Sequence, residues 1–132
     1  MDFYFSDVVD AGVSSTFDWA LIIVLSSTIL IEAAVMSLLR YNQFKKTLPD
    51  SFLINIASIA VGYALLKIAP GLFNSYDIPG LLKLLAITIA VEFGMLYLLN
   101  RMHRAIETFK VSVVINVVTY ILFYLFIRLT NR

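Results

Sequence analysis

Cysteine does not occur in this chain of 132 residues, which excludes disulfides, thiol catalysis and thiolate metal sites. A single histidine, His103, rules out a histidine-based metal cluster within one chain, so neither a metal nor a cofactor is expected. Charge is scarce as well: 14% of the residues are charged, against roughly 25% in a soluble domain. The net charge of +1 gives no footprint for nucleic acid, so no nucleic-acid partner is expected. No nucleophile motif or phosphate-binding loop is present, and the expected function is non-enzymatic.

Hydrophobic residues make up 61% of the chain and fall in long runs rather than an amphipathic scatter. That pattern places the lipid bilayer around the protein and reads as an integral, multi-pass membrane protein. Four runs leave only short loops, so residues 1–132 form one transmembrane domain. Residues 1–18 are polar and acidic, with Asp2, Asp7, Asp10 and Asp18, while Phe3, Tyr4 and Phe5 suit the membrane interface. An acidic start and an overlong first apolar run argue against a cleaved signal peptide. The expected spans are about 19–39, 51–69, 81–99 and 111–127. Trp19 stands where an interfacial anchor belongs, Pro49-Asp50 is expected to break the chain before span 2, with Asp50 and Ser51 as caps, and two Pro-Gly pairs bracket residues 70–80.

Lysine and arginine set the orientation. Arg40, Lys45, Lys46, Arg101, Arg104 and Lys110 lie in or beside the 1–2 and 3–4 loops, and Lys67, Lys83, Arg128 and Arg132 lie at the other ends. This bias predicts both loops in the cytoplasm and both termini outside; the expected location is the cytoplasmic membrane of a prokaryote.

Inside the apolar runs stand two acids. Thr28-Ile-Leu-Ile-Glu32 recurs as Thr88-Ile-Ala-Val-Glu92, 60 residues later. A carboxyl within an apolar run is expensive and marks a candidate functional site by default. At that shift Leu21, Leu25, Ile29, Leu38 and Leu39 also meet identical residues. At a shift of 61, Thr47, Ser51, Ile54, Asn55 and Tyr63 meet Thr108, Ser112, Ile115, Asn116 and Tyr124, and Ser58 meets Thr119. The chain therefore reads as a duplicated pair of antiparallel transmembrane hairpins. Two spans per copy insert with the same orientation, so the expected pseudo-twofold axis runs along the membrane normal, as in parallel-repeat transporters. The fold class is an all-α membrane four-helix bundle.

Depth and face converge on one layer. Glu32 lies eight residues before Arg40, or roughly 12 Å at 1.5 Å per residue, and Ser58 and Thr119 lie at a similar distance from the loop ends of their spans. Asn55 and Asn116 lie one turn closer to the loops. Ser51, Asn55, Ser58 and Gly62 make one helical stripe, which Ser112, Asn116 and Thr119 repeat. Thr28 and Thr88 share a face with their glutamates, one turn away. These polar stripes should face inward, since lipid offers no hydrogen bonds. Glu32 is expected to contact Asn55 or Ser58, and Glu92 to contact Asn116 or Thr119, within or between hairpins. Rows of small residues, Ala60 and Ala64 in span 2 and Ala86, Ala90 and Gly94 in span 3, read first as helix contacts inside the chain, with a homodimer or partner subunit as the alternative. His103 reads as a solvated loop residue, and the aromatics of span 4 as lipid-facing or packed bulk.

Two functional readings compete. With no basic residue at their depth, neutral glutamates would pin helix register through asparagine and hydroxyl partners, as in an accessory or scaffold subunit of a larger membrane complex. Two glutamates, two asparagines and several hydroxyls also supply oxygen ligands suited to a proton or hard cation, as in a small proton- or cation-linked transporter. Chain length and a glutamate in span 1 resemble the small multidrug resistance transporters. That family has one essential acid per chain, whereas this chain has a second glutamate and an internal repeat, so its activity is not carried over. The accessory reading is preferred.

Overall fold

A computed structural model describes residues 19–73 and 78–130; the acidic N-terminal segment with Phe3, Tyr4 and Phe5, and Arg132, lie outside these. The described chain is all-α. Its helices are α1 (Trp19–Leu38), α2 (Phe44–Ile68), α3 (Ile78–Leu99) and α4 (Ala105–Thr130), with a 3-10 turn at Pro70–Phe73. Contact runs around a ring: α1 packs on α2, α2 on α3, α3 on α4 and α4 on α1. Among the described residues three helices are long and apolar enough to cross a membrane, namely α2, α3 over Leu82–Leu99 and α4 over Ala105–Phe126; α1 is apolar along Ile22–Leu38.

The interior is polar and the exterior apolar. Among the described residues, eleven buried side chains are polar or charged and seven are hydrophobic, while large apolar residues such as Leu38, Ile68 and Phe126 stand exposed. Water would penalise that distribution and hydrocarbon favours it, so the pattern is that of a membrane protein. The buried residues cluster at the end where the α1–α2 and α3–α4 connections meet. Apart from Gly80, no described residue in 22–31, 56–68 or 79–91 is buried.

α2 begins well before the expected span start. Its 25 residues include Pro49, which was expected to break the chain there. Pro49 lies past the first turn of α2, so it forgoes the hydrogen bond to the Lys45 carbonyl and crowds it, but this first stretch is tied down from outside. Thr47 Oγ1 donates to the Ala33 carbonyl of α1 at 3.0 Å, and Asn100 Nδ2 donates to Asp50 at 2.9 Å. Asp50 and Ser51 therefore do not cap α2; the N-cap is Gln43, without a side-chain hydrogen bond. α4 likewise starts at Ala105 and carries Glu107 in its first turn, so both helices project polar turns past the expected spans.

α1 ends in a tight cap. Tyr41 N–H donates to the Met36 carbonyl and Arg40 N–H to the Ser37 carbonyl, both at 3.0 Å. This Schellman pattern places its C′ residue in the left-handed region, where glycine is usual. Here that residue is Arg40, with φ 57°. Met36 and Tyr41 then pack together in the apolar core with Ile54, Leu96, Val111 and Ile115.

The small-residue rows do not pack within the chain. Ala60, Ala64, Ala86 and Ala90 are exposed, and a Cβ at Gly94 would meet nothing within 4 Å. The helical period explains this: turning Asn55 and Glu92 inward sends Ala64 and Ala90 to the opposite side.

Candidate functional site

Asn55 shows how one helix aims a donor. Its Nδ2 group donates to the Ser51 carbonyl four residues back at 2.9 Å, which fixes the amide, and its other N–H points at Glu32 Oε2. Asn116 repeats this arrangement, bonded to the Ser112 carbonyl at 2.9 Å and to Glu92 Oε2. Each carboxyl also receives a hydroxyl. Ser51 Oγ donates to Glu32 Oε2 at 2.8 Å, and Ser58 Oγ donates to Glu92 Oε1 at 3.3 Å. The stripe on α2 thus serves α1 with Ser51 and Asn55, and α3 with Ser58. Both carboxyls are 1% exposed.

The remaining candidates are placed differently. Thr119 is buried on the α4 stripe one turn beyond Asn116, but its hydroxyl has no hydrogen-bond partner. Thr28 and Thr88 bond their own helices, donating to the Val24 and Leu84 carbonyls at 2.9 Å each. Ser112 Oγ donates to the Ile89 carbonyl at 2.9 Å, stitching α4 to α3.

A second polar layer lies toward the connections. Asn42 Nδ2 donates to Asn100 Oδ1 at 2.7 Å, Asn100 donates onward to Asp50, and Lys46 pairs with the same carboxylate. Tyr41 OH and Thr108 Oγ1 share a hydrogen bond of 2.9 Å. Burial, partly offset by that bond, holds the Tyr41 phenol above its ordinary range. His103 is not a free loop residue: it stacks on Tyr41 with ring centroids 4.2 Å apart, and its Nε2 lies 3.4 Å from Asn42 Oδ1. These contacts hold the two connections together at one end of the ring.

Ser51 and Ser112 belong to the site as well, and their place four residues before the asparagines on the same stripes is the signal that marks them. The network of Asn42, Asp50 and Asn100 has no such signal, because a polar residue beside a loop carries no mark of depth. Chemically, the central layer offers two carboxyls among neutral donors. No group of three or more His, Asp or Glu among the described residues could hold a metal ion. Comparison with known proteins brings no outside likeness: no family model, curated protein or solved structure matches the chain.

Proposed function

We propose that this chain is a non-enzymatic accessory or scaffold subunit of a larger membrane complex. It consists of two copies of an antiparallel hairpin, related by a pseudo-twofold axis along the membrane normal. Both connections face the cytoplasm of a prokaryotic cell, with both termini outside. The observation that carries this reading is the closure of the central layer. Both glutamates are buried and answered by neutral donors from neighbouring helices, an arrangement that fixes helix register. Outward rows of small residues on α2 and α3 suit close approach by another helix, and the thinly covered half of the ring leaves room for one. Solubilisation of native membranes in a mild detergent tests the reading. The chain should migrate in a complex of well over its own mass, containing other subunits; a monomer or a plain homodimer would overturn it.

One observation favours a second reading, a small proton- or cation-linked transporter. The Thr119 hydroxyl is buried without a hydrogen-bond partner, one turn from the Asn116 that bonds Glu92. Such a group is available to a transported ion. On this reading Glu32→Gln and Glu92→Gln abolish pH- or cation-dependent flux in reconstituted vesicles, whereas a scaffold tolerates both.

A further inference from the structure

The loop end of the ring carries an open groove of about 540 Å³ between the end of α1 and the start of α4. Its polar mouth holds Arg40 and Lys110, and Leu39, Val111 and Val114 continue it along the bundle side. Both cations are exposed. Neither takes part in an ion pair or side-chain hydrogen bond, which is also true of Lys45 and Arg101 at this end, but Arg40 and Lys110 are the two of these that line the groove. Glu107 also lines the groove, but its carboxylate is occupied by Arg104 at 3.4 Å and approached by His103 at 3.9 Å. Two positive charges without an acidic partner thus stand beside Leu39, Val111 and Val114 where α1 ends and α4 begins.

The backbone gives a separate reason to single out Arg40. Its φ of 57° lies in the left-handed region that L side chains rarely adopt. Glycine would close the same cap without that penalty. A strained position occupied by a long cation is where a local function is to be sought.

We propose that this groove is a binding site for an anionic phospholipid. The phosphodiester lies between Arg40 and Lys110, and one acyl chain follows Leu39 and Val114 into the bilayer. Charge complementarity selects the anionic headgroup, and continuity of the trough with the lipid-facing surface selects a lipid over a free anion. The stacked rings of Tyr41 and His103 form one wall of the groove.

The full chain, purified in mild detergent, is titrated with phosphatidylglycerol and with phosphatidylcholine of the same acyl chains, and retained lipid is read by native mass spectrometry. Phosphatidylglycerol should be retained preferentially. Arg40→Gly and Lys110→Gln should each reduce that preference about fivefold, the effect of one basic residue near a membrane surface. Arg40→Gly should melt no lower than the parent, so its loss of lipid is not loss of fold. Equal retention of the two lipids overturns the proposal, as does unchanged retention in both variants. Displacement of phosphatidylglycerol by millimolar inorganic phosphate would also overturn it, by making the site one for a free anion.

Discussion

Asn55 and Asn116 meet the same requirement in the two halves of the chain. Asparagine mid-helix is a poor helix former because its amide competes with the backbone. Here the competition is useful, since the bond to the residue four back orients the second N–H toward a carboxyl on the next helix. Glu32→Gln and Glu92→Gln keep an acceptor in place and should change stability by less than about 1 kcal/mol. Glu32→Leu and Glu92→Leu strand the amide and hydroxyl instead, and each should destabilise by about 1–3 kcal/mol, read as thermal unfolding in detergent. Thr119→Val should behave in the opposite way to Ser58→Ala. The valine removes a buried hydroxyl that bonds to nothing and should be neutral or stabilising by up to about 1 kcal/mol, whereas the alanine removes a donor to Glu92 and should destabilise. A clear loss of stability in Thr119→Val would show that the hydroxyl has a partner after all. At this scale the sequence was informative where polarity contradicted depth: the glutamates and asparagines stood out because their surroundings were apolar. Which hydroxyl reached which carboxyl was not legible. Ser58 sits within one turn of Asn55 yet turns to α3 rather than α1, and that choice depends on helix azimuths set by packing.

Helix ends were less legible than helix interiors. Pro49 reads as a breaker by its own chemistry, yet α2 runs through it because Thr47, Asp50 and Ser51 are bound to α1 and to Asn100. Local propensity yields where tertiary bonds hold the turn. The cap of α1 is the clearest case of such coupling. It delivers Tyr41 into the core, where the phenol meets Thr108 of α4, so the end of one helix secures the start of another. Tyr41→Phe should destabilise by about 1 kcal/mol, since the Thr108 hydroxyl loses its buried partner. The same phenol sets an alkaline limit. Its folded pKa is raised, so the folded state holds the proton more firmly than the unfolded chain does. The resulting stability is intact below the ordinary tyrosine value of about 10 and is lost as pH rises through the higher folded value. Melting temperature followed upward from pH 9 should fall less steeply in Tyr41→Phe than in the parent; identical slopes would show that burial does not penalise the ionised phenol.

For the whole molecule, the ring is tight at one end and thinly covered at the other, and the tight end is where both connections and six of the basic residues gather. Composition made the membrane class legible, because 61% hydrophobic content in long runs admits few alternatives. The helical period sets Ala64 and Ala90 opposite Asn55 and Glu92, so the turn of the small-residue rows away from the glutamate layer was legible; what they pack against was not, since small-xxx-small spacing looks the same whether the neighbour is in the chain or beyond it. Membrane orientation rests on the lysine and arginine bias alone, and the lack of cysteine makes it directly measurable. Single cysteines replace Gln43 in the first connection and Met102 in the second, both exposed. Because the bond between Asn42 and Asn100 holds the two connections side by side, they must share a membrane face. A membrane-impermeant maleimide should leave both cysteines unlabelled in intact cells and label both in inverted vesicles. Labelling of both from outside would reverse the orientation while leaving the ring intact. Labelling of one from each side would break the ring itself, since no closed set of contacts through Asn42, Asn100, Tyr41 and His103 survives with a bilayer between them.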